Sequence, residues 1–295
     1  MIPARRALLL GVGATLATAP RLWAAQPPAQ SAGARGGSVD LALNGAWRQG
    51  GYAFGRTAPR ALIFVEGEAL TTASADGLFV IGFDRDAASS VEIEARLGGR
   101  STRRRLDIAA HQFPSTRVDG LPPATVEPSD PDLLARIQRE VALKTEAFAS
   151  RADTEDFRDG FVWPLETYRI SSQWGAQRIL NGTPARPHYG VDLAAPAGTV
   201  IRAPADGRVV FARPDMHFEG GLTLIDHGQG LISAYLHQSR LDVAPGRTVR
   251  RGEPLGRVGM TGRATGPHLC WRLKWRDRNL DPSLLVGAHT PQRLA

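Results

Sequence analysis

The sequence contains one cysteine, Cys270, among 295 residues. A single cysteine excludes a disulfide within the chain and a zinc ribbon built on four thiolates. No internal run of apolar residues reaches the ~20 that a membrane-spanning helix needs. The net charge of +7 is only a modest positive excess. Because no recognised nucleic-acid-binding motif accompanies it, nucleic-acid binding has no support.

What is present is the composition of an ordinary globular protein that is rich in turns. Hydrophobic residues make up 42% of the chain and charged residues 22%, which excludes wholesale disorder. The 32 glycines and 21 prolines favour many turns and short strands over a helical bundle. We therefore expect a mostly β fold, and the length allows one large domain or two modest ones.

Residues 1–25 have the features of a secretory signal peptide. Arg5 and Arg6 precede an apolar run over residues 7–19, and small residues follow up to position 25. The arginine pair also fits a twin-arginine signal, so the export route stays open. The alternative is an uncleaved anchor, for which the apolar run is short. We expect export to the periplasm or cell envelope, a flexible linker over residues 26–37, and no stable membrane span after cleavage.

The rest of the chain divides into two β regions joined by a helical segment. Residues 38–113 contain short alternating runs, such as residues 61–65, separated by turns rich in glycine and aspartate. This pattern predicts a small antiparallel domain that resembles a β-sandwich. Residues 114–160 are predicted to form a linker and a helix. Residues 161–286 are again strand-like with glycine-rich turns and are predicted to form a second β domain, followed by a tail over 287–295.

The connecting helix is predicted over about residues 131–150. Asp130 is a suitable N-cap, and Pro131 is suited to the first helical position. Apolar residues recur at helical spacing on one side, namely Leu133, Leu134, Ile137, Val141 and Phe148. A ladder of charged residues with i, i+4 spacing lies on the other side, namely Arg136, Glu140 and Lys144. We expect the helix to pack between the two β regions.

Residues 268–275 (HLCWRLKW) alternate strictly, as a β-strand does. The leucines and tryptophans form a face that belongs in the core. The other face should line a cleft or the surface, and it carries His268, Cys270, Arg272 and Lys274. A lone cysteine is usually a small buried hydrophobe, but the alternation argues against that here. A thiolate beside an imidazole on a strand that faces a cleft is a sensible metal ligand.

Two earlier segments carry further candidate ligands. His188 and Asp192 stand four residues apart, and imidazole and carboxylate are both good zinc ligands, although this spacing alone is common. His237 ends a β-like run, and a single histidine there is more often structural than catalytic. Arg272 and Lys274 share the cleft face, where they could meet substrate carboxylates or be solvated.

These segments together resemble the lysostaphin-type (LytM-like) zinc metallopeptidases, over about residues 161–286. The motifs that carry the resemblance follow the family's order: FVWP from 161, SSQWG from 171, HYGVD from 188, APADG from 203, IDHG from 225, YLH from 235 and GMTGRATGPH from 259. The resemblance implies a compact antiparallel β fold with a groove over the metal. It also implies cleavage of peptide bonds in peptidoglycan. The upstream β region and helix resemble, more loosely, those of envelope members from Gram-negative bacteria.

The resemblance also implies roles for single residues. His188 and Asp192 match the first two zinc ligands. His268 matches the first histidine of the family's H-x-H pair, which is catalytic, and His237 matches the other catalytic histidine. Cys270 stands where the family has a histidine as the third ligand. Asn181 matches a groove residue.

The cysteine at the third ligand position has three possible meanings. Cys270 binds zinc as a thiolate, or it is a redox-sensitive ligand, or the site is inactive. We favour the first, because the other metal and catalytic positions are all retained. Two anionic ligands cancel the charge of Zn²⁺, so we expect the bound water to have a raised pKa. Turnover should then be slower near neutral pH, or the activity optimum should lie at higher pH.

The sequence therefore predicts a secreted zinc-dependent endopeptidase that hydrolyses peptide crosslinks in peptidoglycan and takes stem peptides as substrate. The two catalytic histidines would orient the zinc-bound water and accept its proton. The alternative is a non-catalytic peptidase-like domain that binds peptidoglycan or activates a cell-wall amidase. A single substituted ligand position favours the enzyme. The remaining histidines are expected to be structural, namely His111, His217, His227 and His289.

Overall fold

The computed structural model of the protein describes residues 39–122 and 126–292. The predicted signal peptide (1–25) and the predicted linker (26–37) lie outside the described residues. Within them the chain is mostly β with one long helix, which confirms the predicted fold class. No helix in the described part of the chain has both the length and the apolarity that crossing a membrane requires.

The strands and helices follow one another in this order. The strands before the long helix are β1 (Leu41–Ala46), β2 (Tyr52–Thr57), β3 (Leu62–Val65), β4 (Glu68–Thr72), β5 (Leu78–Gly82), β6 (Ser90–Leu97), β7 (Arg100–Asp107) and β8 (Ser115–Val118). Helix α1 spans Pro131–Phe148. The strands after it are β9 (Arg169–Ser172), β10 (Gln177–Leu180), β11 (Thr183–Pro184), β12 (Val191–Ala194), β13 (Val200–Arg202), β14 (Gly207–Met216), β15 (Gly220–Asp226), β16 (Leu231–Gln238), β17 (Arg240–Leu241), β18 (Thr248–Val249), β19 (Pro254–Arg257), β20 (His268–Trp275) and β21 (Arg278–Leu280). A 3₁₀ helix over Pro282–Leu285 comes last.

Two antiparallel sheets form the first β region. One has the strand order β1-β2-β5 and the other β4-β3-β6-β7. Along β6, Ile93 and Ala95 are fully buried, whereas Glu94 between them lies 3.2 Å from Arg103 of β7. This alternation sends apolar side chains to the core and lets charged side chains pair across strands on the other face.

An eight-stranded antiparallel sheet dominates the second β region. Its strand order is β18-β14-β15-β16-β20-β12-β9, with β21 paired to β20. The leucines and tryptophans of β20 are at most 1% exposed, which confirms the predicted core face. The expectation that Cys270 avoids burial was wrong, because it is 1% exposed. It belongs to a second apolar cluster, with Ile232 and Ala234 of β16 and Ala147 of α1, on the opposite face of the sheet.

Helix α1 begins with the predicted cap. The Asp130 side chain accepts a hydrogen bond from the backbone N–H of Leu133 (2.8 Å), and Pro131 is the first helical residue. The prediction of which face of α1 turns toward the core was wrong in part. Val141 is 50% exposed, whereas Glu140 of the charged ladder is 9% exposed.

Polar contacts explain this orientation of α1. Glu140 accepts the backbone N–H of His217 (2.8 Å), and Lys144 pairs with Glu219. Both partners lie in the β14–β15 hairpin, so the helix packs on the large sheet, and the expectation that it packs between the two β regions was wrong. Charged side chains are buried there because each meets a partner.

The two β regions share one hydrophobic core. Phe157, which is fully buried, stacks on Phe54 of β2 with ring centroids 5.4 Å apart. Gly82 of β5 lies so close to β21 that a Cβ atom would come 2.6 Å from the Leu280 side chain. The predicted domain boundaries stay a prediction, but residues from both regions belong to the same buried cluster.

The replacement Phe157→Ala is expected to lower the free energy of unfolding by about 3–5 kcal/mol. It removes a fully buried ring that stacks on Phe54 and belongs to the buried cluster that residues of both β regions share. Urea denaturation measures the effect. Val162→Ala, at a position that is 39% exposed, is the control and should stay within about 0.5 kcal/mol of the wild type. A Phe157→Ala loss as small as that of the control would contradict the shared core.

Candidate functional site

Strand pairing places a carboxylate and a thiol side by side. β12 pairs antiparallel with β20, and Asp192 lies directly opposite Cys270 in the register. Residues that are opposite in an antiparallel pair point to the same face and lie in contact range. His188 lies in the loop before β12, where its backbone N–H donates to the carbonyl of Ala176 (2.8 Å).

The structure brings the three predicted metal ligands together. His188 Nε2 lies 3.1 Å from Asp192 Oδ1 and 3.2 Å from Cys270 Sγ. All three candidate donor atoms lie within 4.8 Å of one another. The three residues are 2%, 6% and 1% exposed, respectively. A nitrogen, an oxygen and a sulfur donor therefore converge on one small buried volume.

Ser172 orients the ring of His188. Its Oγ lies 3.2 Å from His188 Nδ1, so the serine can accept a hydrogen bond from the Nδ1–H group. The Nε2 lone pair is then directed at Asp192 and Cys270. Burial lowers the pKa of His188 to about 4. The imidazole is therefore neutral near pH 7, which is the form that binds metals.

Arg178 holds the other side of the Asp192 carboxylate. Its Nη2 donates to Asp192 Oδ2 (2.7 Å). Burial raises the pKa of Asp192, but the neighbouring His188 and Arg178 lower it more, so the carboxyl is ionised. Among the described residues, Oδ1 is buried without a hydrogen-bond partner. An ionised oxygen of this kind needs a cation or a donor beside it.

Cys270 is packed as tightly as a core residue. Burial raises the pKa of its thiol to about 12, so the sulfur is protonated until a cation replaces the proton. A Cβ atom at Gly190 would lie only 2.7 Å from the sulfur. The glycine between His188 and Asp192 therefore leaves room for the Cys270 side chain.

The two predicted catalytic histidines lie beside each other at the edge of this cluster. The ring centroids of His237 and His268 are 4.7 Å apart. The Nδ1 of His237 donates to the carbonyl of Thr261 and that of His268 to the carbonyl of Gly266, both at 2.8 Å. Because a carbonyl only accepts, each Nδ1 carries the proton and each Nε2 is free to accept one.

His237 has an unusual backbone conformation for a histidine at the end of a strand. Its φ is +66°, in the left-handed region that non-glycine residues rarely adopt. Its backbone N–H donates to the carbonyl of Glu219 (2.8 Å), and its ring is held by Thr261. Burial lowers the pKa of His237 to about 3, with a further contribution from His268. Strain held in this way is common at functional sites.

Two clefts open near the cluster. One, of about 330 Å³, is lined by Asp192 and His268, by Arg169 and Arg263, and by residues of β8. The other, of about 470 Å³, lies between α1 and β20 and is lined by Arg272 and Lys274 among others. Asn181, the predicted groove residue, is not among the lining residues. Its side chain exchanges two hydrogen bonds with the backbone of Leu121, which lines the first cleft (2.7 and 3.1 Å).

The other two polar residues on this face of β20 each contact a neighbouring side chain. The Arg272 Nε lies 3.4 Å from Cys270 Sγ, and the Lys274 ammonium lies 5.1 Å from the centre of the Phe148 ring.

The four histidines with a predicted structural role lie outside the cluster. The ring of His227, for example, is buried between the Asp206 carbonyl and Ser233.

Sequence reasoning did not identify Arg178 or the contact of Arg272 with sulfur. Arg178 precedes Asp192 by 14 positions, and no periodicity connects the two. Ser172 stands within one of the recognised motifs, but its partner His188 is 16 residues away. Only the pairing of distant strands brings these side chains together.

Comparison with known proteins gives matches to one peptidase family. A profile of peptidase family M23 matches residues 186–282. The peptidoglycan DD-endopeptidase ShyA of Vibrio cholerae is 39% identical over 118 residues, which are 39% of this chain and 27% of ShyA. The DD-carboxypeptidase/endopeptidase Mpg of Neisseria meningitidis serogroup B is 38% identical over 136 residues, which are 46% of this chain and 31% of Mpg. The chain thus matches less than a third of the length of either relative.

Similarity to a solved structure extends along most of the chain. The crystal structure of a peptidase M23 from Pseudomonas aeruginosa is 30% identical with a TM-score of 0.63, and the match covers 82% of this chain and 96% of that one. A match of this extent includes the first β region as well as the second. The resemblance to the lysostaphin-type peptidases is confirmed, and the chain belongs to peptidase family M23.

Proposed function

We propose that the protein is an exported, zinc-dependent endopeptidase that hydrolyses peptide crosslinks of peptidoglycan. The observation that carries the proposal is the convergence of His188, Asp192 and Cys270 next to His237 and His268. The partial matches to ShyA and Mpg, which are named as peptidoglycan peptidases, support the substrate class. The same relatives, together with the features of residues 1–25, support a location in the periplasm or cell envelope.

The donor set fits zinc. Nitrogen, oxygen and sulfur donors are the three ligand types that zinc takes from proteins, and three protein ligands leave a position for water or substrate. The Asp192 Oδ1, which is buried without a partner among the described residues, would gain a cation. A bound zinc ion would supply Lewis acidity, lowering the pKa of a water molecule and polarising the scissile carbonyl.

The histidine pair supplies the proton chemistry. Each Nδ1 proton of His237 and His268 is held by a carbonyl, so Nε2 is the ring nitrogen that each histidine can use in proton transfer. Either Nε2 can accept a proton from the attacking water, and the resulting imidazolium can donate to the oxyanion or the departing amine. His268 Nε2 lies 3.7 Å from Asp192 Oδ1, so the pair borders the metal ligands directly.

The clefts suit a peptide that carries carboxylates. The cleft that Asp192 and His268 line also carries Arg169 and Arg263, and the second cleft carries Arg272 and Lys274. Peptidoglycan stem peptides carry free carboxylates, which basic side chains bind well. The non-catalytic alternative would use the same clefts for binding alone.

Metal content and product release together test the proposal. We expect the purified protein to carry about one zinc ion per chain by mass spectrometry and to release soluble muropeptides from purified peptidoglycan. Removal of the metal with a chelator should stop the release, and added zinc should restore it. A protein without zinc that releases nothing would instead support a domain that binds peptidoglycan or activates an amidase.

The replacement Gly190→Ala is expected to weaken zinc binding by roughly 10–100-fold. The new methyl group would lie 2.7 Å from Cys270 Sγ and 2.9 Å from Arg272 Cγ, so the sulfur would have to move. Competition with a chelator measures the affinity. Gly266→Ala, for which nothing lies within 4 Å of the added Cβ, is the matched control. Equal affinities for the two variants would contradict a role of the Cys270 sulfur in metal binding.

A further inference from the structure

Asp192 and Cys270, the two members of the metal cluster that would bind a metal as anions, each contact an arginine. Arg178 Nη2 donates to Asp192 Oδ2 at 2.7 Å. Arg272 Nε donates to Cys270 Sγ at 3.4 Å. Strand alternation accounts for the second contact, because residues two apart on β20 point to the same face. The absence of a side chain at Gly190 leaves room for the Arg272 stem beside the sulfur.

A thiolate in this position brings one more negative charge than a histidine would. With Asp192 it would cancel the charge of a zinc ion and weaken the ion as a Lewis acid. A guanidinium that donates a hydrogen bond to the sulfur draws electron density from it, and hydrogen bonds to ligating sulfur atoms are known to tune metal centres. Arg272 can make this hydrogen bond to a metal-bound sulfur, because its Nε lies 3.4 Å from Cys270 Sγ.

We propose that Arg272 is a positioning residue of the metal centre, which orients the Cys270 thiolate and offsets its charge through an N–H···S hydrogen bond. The inference rests on the proposed zinc-dependent function. It differs from a role in binding substrate carboxylates, because it predicts an effect on the metal in the absence of any substrate. It also explains how part of the Lewis acidity that a second anionic ligand removes can be kept.

Cobalt substitution makes the sulfur directly visible. Co²⁺ bound by a thiolate gives a sulfur-to-metal charge-transfer band in the near ultraviolet, and a hydrogen bond to the sulfur raises the energy of that band. We expect Arg272→Gln to shift the band to longer wavelength and to lower zinc affinity by roughly 10–100-fold. Arg272→Lys keeps the charge without the Nε donor and should give a smaller shift. Lys274→Gln, two residues further along the same face, should change neither quantity.

A second pair of variants links the effect to the sulfur. In a Cys270→His background, where no sulfur is present, Arg272→Gln should alter zinc affinity by less than about threefold, which a double-mutant cycle would report as coupling between the two positions. Circular dichroism of the metal-free variants checks that each is folded. If Arg272→Gln is unfolded, the comparison of Arg272→Lys with the wild type decides the question.

Two negative results have different meanings. A wild-type band that stays at the same wavelength in Arg272→Gln and Arg272→Lys, with unchanged zinc affinity, would overturn the role of Arg272 and leave the zinc centre intact. Absence of the band from the cobalt-loaded wild type would overturn Cys270 as a ligand, and the role of Arg272 with it.

Discussion

Replacement of His268 by alanine is expected to lower kcat for peptidoglycan cleavage by about 10²–10⁴-fold, which is the usual contribution of a general acid–base group. The physical reason is the geometry of the ring. Its Nδ1 proton is held by the Gly266 carbonyl, so Nε2 is available as a proton acceptor 3.7 Å from Asp192 Oδ1. Release of muropeptides measures the rate, and zinc content should remain near one ion per chain because His268 is not a proposed ligand.

His237→Ala should have an effect of similar size with equally unchanged zinc content, since its Nε2 is free in the same way. The exposed His289 offers a matched control, and His289→Ala should retain the wild-type rate. If His268→Ala kept full activity, the assignment of the pair as catalytic would be wrong. If it lost zinc together with activity, His268 would have to be counted among the ligands.

Replacement of Cys270 by alanine is expected to lower zinc affinity by about 100-fold or more. Structural zinc sites bind with about 10–16 kcal/mol, so one of a few protein ligands contributes about 3 kcal/mol, which corresponds to ~100-fold in Kd. The replacement also leaves a gap beside His188 Nε2, which lies 3.2 Å from the sulfur. Chelator competition measures the Kd, and the stabilisation of the fold by added zinc should weaken in parallel.

The variant Cys270→His separates loss of the ligand from loss of its negative charge. It introduces the residue that the family pattern has at this position, so zinc binding should be retained while the second anionic ligand is lost. The pH–rate profiles of the two proteins then measure how far the thiolate raises the pKa of the bound water. Unchanged zinc affinity in Cys270→Ala would contradict ligation by sulfur and favour an inactive or purely binding site.

Most of the residues that meet at the site could be selected from the sequence, because their patterns are local. The H-x₃-D spacing of His188 and Asp192 and the strict alternation of β20 each fit within a few residues. The same alternation correctly placed the tryptophans in the core, since the period of a strand is two in any context. The N-cap of α1 was predictable for the same reason, because Asp130 contacts a backbone N–H only three residues away.

The orientation of α1 was not predictable in this way. The helical period identifies two faces, but which face turns inward depends on the surface that receives it. The β14–β15 hairpin offers the backbone N–H of His217 and the carboxylate of Glu219, so Glu140 and Lys144 turn inward and Val141 is exposed. Residues 115–118, expected in a linker, form β8 because β10 presents an open edge for parallel pairing.

By itself, the sequence determined the fold class, the family and the identity of the residues that meet at the centre, because these follow from motifs and periods that the chain carries locally. The tertiary structure alone decided that the Cys270 sulfur is buried, that Ser172 and Arg178 orient the ligands, and that Arg272 donates to the sulfur. These contacts depend on the register between strands far apart in the chain and on how neighbouring elements cover each face. Side-chain periodicity within one strand predicts neither the register with a distant strand nor the element that covers each face.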